Sequence, residues 1–254
     1  MEDGVTASSW RSSWVLEAVK TVTYALIIAV VIRTFLFQPF NIPSSSMENT
    51  LLIGDYLFVT KFSYGYSKHS FPWSPNLFEG RVWSAPPERG DVAVFRLPAR
   101  PWEDYIKRVV GLPGDRIQMI DGVLHINGEP CKLKRIEDFV QVTQYGYEER
   151  VPRYLETLPN GVVHEILDGE PDKPGADNTQ EFVVPPGHYF MMGDNRDNSN
   201  DSRIPDSGVG FVPEENLVGR ADMIFFSTDG SAQVWEVWKW PWAIRYGRFF
   251  HSIG

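Results

Sequence analysis

The spacing of apolar positions changes twice along this chain. From Thr21 to Ile32 the sequence reads TVTYALIIAVVI without a charge, and only Arg33 interrupts the run before Phe37. After Pro39 the apolar residues fall into short runs: LLIGDYLFVTKF, GDVAVFRL, DYIKRVVGL, GDRIQMI and GVLHING. These are rich in Val, Ile, Phe and Tyr and are broken by Gly, Pro and Asp, which predicts β-strands joined by turns. Over residues 138–180 the periodicity lapses. That stretch is acidic and ends in GEPDKPGADN, a loop composition. It reads as part of an inserted subdomain, about residues 121–181, rather than as core. Strand patterning resumes in EFVVPPGHYFMMGDN and LVGRADMIFFS. There are no internal repeats.

Three readings compete for the apolar run. A membrane-spanning helix needs about 20 apolar residues. The charge-free part is shorter, but Lys20 and Arg33 can snorkel towards the two interfaces. Trp10 and Trp14 on one side, and Phe35, Phe37 and Phe40 on the other, suit interfacial positions. A cleavable signal sequence would need a small-x-small site, whereas RTFLFQPF follows. A buried core helix is the plainest reading. We take the first, which divides the chain into a short polar tail over 1–14, an anchor over 15–37 and a β domain over 38–254. Arg11 and Lys20 precede the span and Arg33 alone closely follows it. The excess of basic residues before the span favours a cytoplasmic N-terminus, with everything after the helix outside.

At 254 residues, 43% apolar and 22% charged, the chain can bury a sizeable core. Nineteen Pro and 21 Gly favour a turn-rich β protein over a helical bundle. The net charge of -9 argues against nucleic acid as a partner, since phosphates call for a basic face. A lone cysteine, Cys131, excludes an internal disulfide and Cys-rich zinc sites. The tail VWEVWKWPWAIRYGRFF carries Trp235, Trp238, Trp240 and Trp242 among Lys239, Arg245 and Arg248. Aromatics beside basic residues suit a membrane interface, and equally they suit indoles laid over a sheet.

The chemistry is narrowed by what is missing. None of the five histidines, His69, His125, His164, His188 and His251, lies in a G-x-S-x-G or H-E-x-x-H context. Histidines scattered in this way read as structural or solvated. A lysine can replace histidine as a base if burial strips its charge. In DYIKRVVGLPGD, strand alternation sets Tyr105, Lys107 and Val109 on one face and Ile106 and Arg108 on the other. On pattern alone, a solvated Lys107 on an ordinary strand is the simpler reading. IPSSSMENTL follows the anchor directly, so a nucleophile there would work close to the bilayer. GDNRDNSNDSR, residues 193–203, has no hydrophobe. It mimics a calcium loop but lacks the Gly at the sixth and the Glu at the twelfth position, so we assign no metal and no cofactor.

Taken in order, the anchor, IPSSSMENTL, GDYLFVTKFSYG, RGDVAVF, DYIKRVVGLPGD and GDNRDNSNDSR resemble the bacterial type I signal peptidases. The likeness covers nearly the whole chain after the tail. It implies a membrane-anchored serine endopeptidase, mainly β, with small coiled antiparallel sheets. By position, Ser46 before Met47 resembles the nucleophile and Lys107 its general base. Ser44 resembles the hydroxyl that completes the oxyanion hole with the Ser46 N–H. Ser199 resembles the residue that orients the lysine, and Asp201 and Arg203 a supporting ion pair. Two positions depart from the common pattern: Ser45 stands where Gly is usual and Asn49 where Pro is frequent. Ser46 is preferred over Ser45 for its adjacency to Met47. Some members carry two anchors and a disulfide, and this chain has one clear anchor and one Cys.

The resemblance further implies exported preproteins as substrates, a place in the bacterial inner membrane with the catalytic domain outside, and no nucleic acid. A monomer is the expected state. Two other functions carry distinct signatures. A self-cleaving repressor of the same Ser/Lys class would bear a DNA-binding helix-turn-helix where this chain has an apolar helix. A non-enzymatic tethered β domain would tolerate replacement of Ser46 and Lys107.

Overall fold

The computed structural model describes residues 7–76, 78–142, 147–169, 175–204, 208–233 and 235–253, and their side chains from Trp14 onward except that of Val142. The start of the tail, the side chains of Trp10 and Arg11, and residues 170–174 of the acidic loop lie outside the described residues.

The apolar run forms α1 (Ala7–Phe35). Its segment from Trp14 to Phe35 is 22 residues long, or roughly 33 Å at the helical rise, enough to cross a bilayer. The helix stands away from the β body, with side chains such as Leu26 and Ile28 more than half exposed. That rules out the buried core helix. Part of the expected tail is helical, because nothing in SSWRSSW stops the helix. Among the described residues, its C-terminal end is the part buried against the domain. Thr34 is buried, the Lys61 N–H donates to the Leu36 carbonyl, and Tyr66 donates to the Phe35 carbonyl.

The main sheet contains β1 (Phe37–Asn41), β2 (Asp55–Thr60), β3 (Val92–Leu97), β4 (Arg100–Gly111), β14 (His188–Met192), β15 (Phe211–Pro213), β16 (Leu217–Ser227) and β17 (His251–Ser252). Its order is β1-β2-β16-β3-β4-β14-β15, with β17 on β16 and every pair antiparallel. In a flat sheet β1 and β4 would lie roughly 19 Å apart. Yet one buried cluster joins Ile42, Met47 and Leu51 to Leu57, Val59, Val92, Val94, Ile106 and Ile224. The sheet is therefore strongly coiled. Register shifts along β16 against both β2 and β3 supply the bend. At Gly219 a Cβ would stand 2.4 Å from the Thr60 carbonyl oxygen, so only glycine admits the close approach.

Beyond β4 a second sheet pairs β5 (Arg116–Ile120) with β6 (Val123–Ile126), flanked by β7 (Glu129–Pro130) and β13 (Phe182–Val183). The stretch 138–180 is more ordered than its loop-like composition suggested. It holds the hairpin β9 (Phe139–Val142) and β10 (Glu148–Val151). It also holds β11 (Arg153–Thr157) and β12 (Val163–Leu167), which form a sheet with β8 (Lys132–Arg135). Glu156, Ile166 and Leu167 are fully buried, so this stretch supplies interior after all. Periodicity missed it because two of its buried residues, Glu156 and His164, are polar.

In the C-terminal tail Pro241 opens a single-turn helix, α2 (Trp240–Ala243). Trp235, Trp238 and Trp242 are 64–80% exposed, which is inconsistent with indoles laid over a sheet. Arg248 forms an ion pair with buried Asp55 at 2.6 Å, and Lys239 one with nearby Glu236 at 2.7 Å.

Candidate active site

Three chain segments meet at one end of the sheet. The first follows β1. After Pro43 the chain makes a single 3₁₀ turn, Ser45–Met47, with Ser44 at its N-terminal edge. Met47 and Leu51 are completely buried and pin this turn to the core, while the short Ser side chains face the other way. The second is the middle of β4, held between β3 and β14, where Lys107 pairs in register with Ala93. The third is the polar segment that leaves β14 at Gly193.

Lys107 Nζ lies 2.6 Å from Ser46 Oγ and donates to the Ile106 carbonyl at 3.1 Å. Lys107 is 3% exposed and Ser46 8%. Burial drives the Lys107 pKa down from 10.5 to about 8. Asp201 and Asp194 oppose the shift and Arg203 assists it, so desolvation prevails over the nearby carboxylates. The solvated-lysine reading is thereby excluded. Ser44 Oγ sits 3.5 Å from Ser46 Oγ, on the same side of the turn. Ser45 Oγ instead accepts from Asn198 Nδ2 at 2.6 Å. The two adjacent serines are thus separated by geometry: Ser46 meets the lysine and Ser45 meets an asparagine. A cleft of about 320 Å³ opens over them, lined by Phe40, Pro43, the three serines, Asp104–Lys107, Asn198 and Asn200.

Behind the lysine, Arg203 binds Asp201 through two hydrogen bonds of 3.0 and 2.9 Å, and Asp201 also accepts from the Gly193 N–H. Both side chains are fully buried. Arg203 holds the Asp201 pKa low despite burial. The Ser199 hydroxyl is buried and makes no hydrogen bond to Lys107. It lies towards Asp201, whose charge it helps to stabilise, short of full hydrogen-bond geometry. The orienting bond expected from Ser199 to the lysine is therefore absent in this arrangement.

Several residues of the site carried no sequence signal of their own. Arg108, on the face opposite Lys107, forms a two-pronged pair with Asp194 at 2.8 and 2.7 Å, and Thr50 donates to the same carboxylate. Arg196 pairs with Glu156, and His164 lies 3.3 Å from Glu156. The Arg196–Glu156 pair thus joins β11 to the polar segment, and His164 is buried beside it as a structural residue. His69 is also buried, with its pKa pushed down to about 4 by desolvation and neighbouring cations. At Gly193 a Cβ would stand 2.5 Å from the Ser46 carbonyl oxygen and closer still to the Ser199 hydroxyl. The GDN pattern was a usable signal for that packing. Asp168, Asp177 and Asp197 bring ligand atoms within 4.8 Å of one another, the one grouping with metal-like spacing among the described residues. It shares no residue with the cleft.

A buried amine of lowered pKa against a serine hydroxyl, at the floor of an open cleft, is an arrangement suited to serine hydrolases. Residues 15–226 match the family described as signal peptidase, peptidase S26. The chain is 45% identical over 214 residues to signal peptidase I of Rickettsia typhi, covering 81% of this chain and 78% of that one. It is 42% identical over 267 residues to signal peptidase I of Rickettsia canadensis, covering 98% and 94%. A solved signal peptidase I from Enterococcus faecalis shares 26% identity over 54% of this chain and 97% of that chain, with a TM-score of 0.32. The chain belongs to the signal peptidase family S26 and is a serine endopeptidase.

Proposed function

We propose that this protein removes N-terminal signal peptides from exported preproteins, with Ser46 as nucleophile and Lys107 as general base. The observation that carries the reading is the 2.6 Å approach of a buried Lys107 Nζ to Ser46 Oγ. Neutral Lys107 accepts the Ser46 proton as Oγ attacks the scissile carbonyl. The oxyanion forms against the Ser46 N–H and the Ser44 hydroxyl, each donor worth about 3 kcal/mol. The Lys107 ammonium then protonates the departing amine, and the same lysine activates the water that releases the acyl-enzyme. Asp201 and Arg203 keep a balanced pair of charges behind the lysine, so that burial can set its pKa. Ser199 acts on Lys107 indirectly, by supporting Asp201.

The substrate enters as an extended chain over the cleft, with small residues at the first and third positions before the cut. Shallow apolar pockets walled by Phe40 and Ile106 exclude bulk there more sharply than they attract a methyl group. The helix from Trp14 to Phe35 is a single-pass anchor in the bacterial inner membrane. The domain after it, including the insertion over about 121–181, works on the outer side as a monomer. The exposed Trp235, Trp238 and Trp242 rest in the interface.

Cleavage of a purified preprotein by the detergent-solubilised wild type and Ser46→Ala, with masses of the products, tests this directly. A cut after a small residue by wild type alone supports the assignment. Equal cleavage by Ser46→Ala removes Ser46 as nucleophile.

A further inference from the structure

A backbone N–H stabilises an oxyanion well only if its peptide plane is fixed before the reaction, because turning it during the reaction forfeits the gain. The plane that matters is the Ser45–Ser46 peptide. In a trans peptide the carbonyl points opposite to the N–H of the next residue. Whatever holds the Ser45 carbonyl therefore aims the Ser46 N–H.

Two donors meet that carbonyl. One is the Glu48 N–H at 2.9 Å, the single i→i+3 bond of the turn itself. Such bonds have poor geometry, and Ser44 adds no side-chain cap. The other is the side-chain amide of Asn195, whose Nδ2 donates to the Ser45 carbonyl at 3.2 Å from 150 positions away. Asn195 also donates its backbone N–H to the Ser46 carbonyl at 3.2 Å. One buried residue thus grips the carbonyls on both sides of the nucleophile's Cα. Asn198 adds a tie on the cleft side, from its Nδ2 to the Ser45 hydroxyl. None of these bonds involves Lys107.

We propose that Asn195 is a positioning residue that sets the Ser45–Ser46 peptide plane and so aims the oxyanion-binding N–H, with the Asn198–Ser45 bond as an auxiliary tie. The inference rests on the reading of Ser46 as nucleophile. Its effect belongs to the transition state, so removing the side-chain amide lowers kcat while KM and the pH midpoint set by Lys107 stay in place.

The test compares full-length wild type, Asn195→Ala, Asn195→Asp, Asn198→Ala and Ser46→Ala in detergent. The first two variants should lose about ten- to a hundred-fold in kcat, less than the loss of a whole oxyanion donor, with KM within about twofold. A peptide boronate that mimics the tetrahedral intermediate should lose affinity by the same factor. Asn198→Ala should lose only a few-fold. If Asn195→Ala does not fold, the nearly isosteric Asn195→Asp carries the test through kcat alone, because its carboxylate cannot donate to a carbonyl and the charge it adds itself raises the pH midpoint. Wild-type kcat in Asn195→Asp overturns the proposal. So does a loss in Asn195→Ala that appears equally in KM, in the pH midpoint and in thermal stability. Cleavage by Ser46→Ala would instead sink the nucleophile assignment, whatever Asn195 does.

Discussion

The pH dependence of cleavage is where the reading of Lys107 is most exposed to refutation. With its ordinary pKa of 10.5, a lysine at pH 7.5 is neutral in about one molecule in a thousand. At the value of about 8 set by burial, about a quarter of the molecules carry a neutral amine, a gain of roughly two hundred-fold in active base. Measured with a preprotein or peptide substrate, kcat/KM should rise about tenfold per pH unit below pH 7 and level off above about 9. The carboxylates of Asp201 and Asp194 hold the lysine pKa up, whereas Arg203 presses it down. Asp201→Asn removes one upward influence and leaves Arg203 unopposed, and both changes have the same sign. The midpoint of that variant should therefore move to lower pH, at a stability cost of about 3–5 kcal/mol for leaving a buried charge unpaired. Lys107→Arg should abolish turnover across the range, since a guanidinium does not deprotonate in a protein. A flat profile from pH 6 to 10, a midpoint near 10.5, or an upward shift in Asp201→Asn would each refute the neutral-lysine mechanism.

Two further outcomes are expected. Asn49 adopts a φ of 83°, and its side chain donates to Glu165 at 2.7 Å and accepts from Arg153. Asn49→Pro, which restores a residue frequent in the resembling family, should cost about 2–4 kcal/mol and lower the melting temperature by about 5–10 °C; an unchanged melt would show that the loop re-forms freely. A fragment beginning at Phe37 should still bind anionic lipid vesicles, and replacing Trp238 and Trp242 by Ala should weaken that binding at least about tenfold. Failure of the fragment to sediment with vesicles would remove the tail from the interface.

The sequence was legible where chemistry and pattern coincide. The faces of β4 follow from strict alternation in DYIKRVVG, because a strand at the middle of a sheet leaves each side chain only two directions. The apolar helix declares itself by composition. Ser46 was separable from Ser45 only by its neighbour, and the packing of Met47 in the core gives the physical reason: burying Met47 fixes which hydroxyl turns to the lysine. What stayed hidden were the buried ionic partners. Glu156, His164, Asp194 and Arg196 sit in runs that read as solvated or loop-like, because a charge buried beside its partner looks in sequence like a charge in water. Their pairing spans up to 86 positions and depends on the tertiary fold. The departure of Ser199 from the lysine was likewise invisible, since its hydroxyl is drawn towards Asp201.

The hidden ion pairs also explain why the stretch 138–180 matters to the site. The polar segment after Gly193 has no hydrophobe with which to hold its shape. Its two-pronged pairs instead tie it down at intervals: Asp194 to Arg108 in β4, Arg196 to Glu156 in β11, and Arg203 to Asp201 within itself. Two of the three anchors lie outside the segment, and one of those lies in the stretch 138–180. Loss of Glu156 would leave Arg196 charged and unpaired in the interior, beside the Gly193 carbonyl that its Nε now holds. The distortion would pass through Gly193, which packs against the Ser46 carbonyl, and through Asn195, which grips both peptide planes around Ser46. A buried charge pair is a weak source of stability. As a rigid strut for a segment that cannot pack by hydrophobic contact, it has a clear use, and here three such struts bear on one serine.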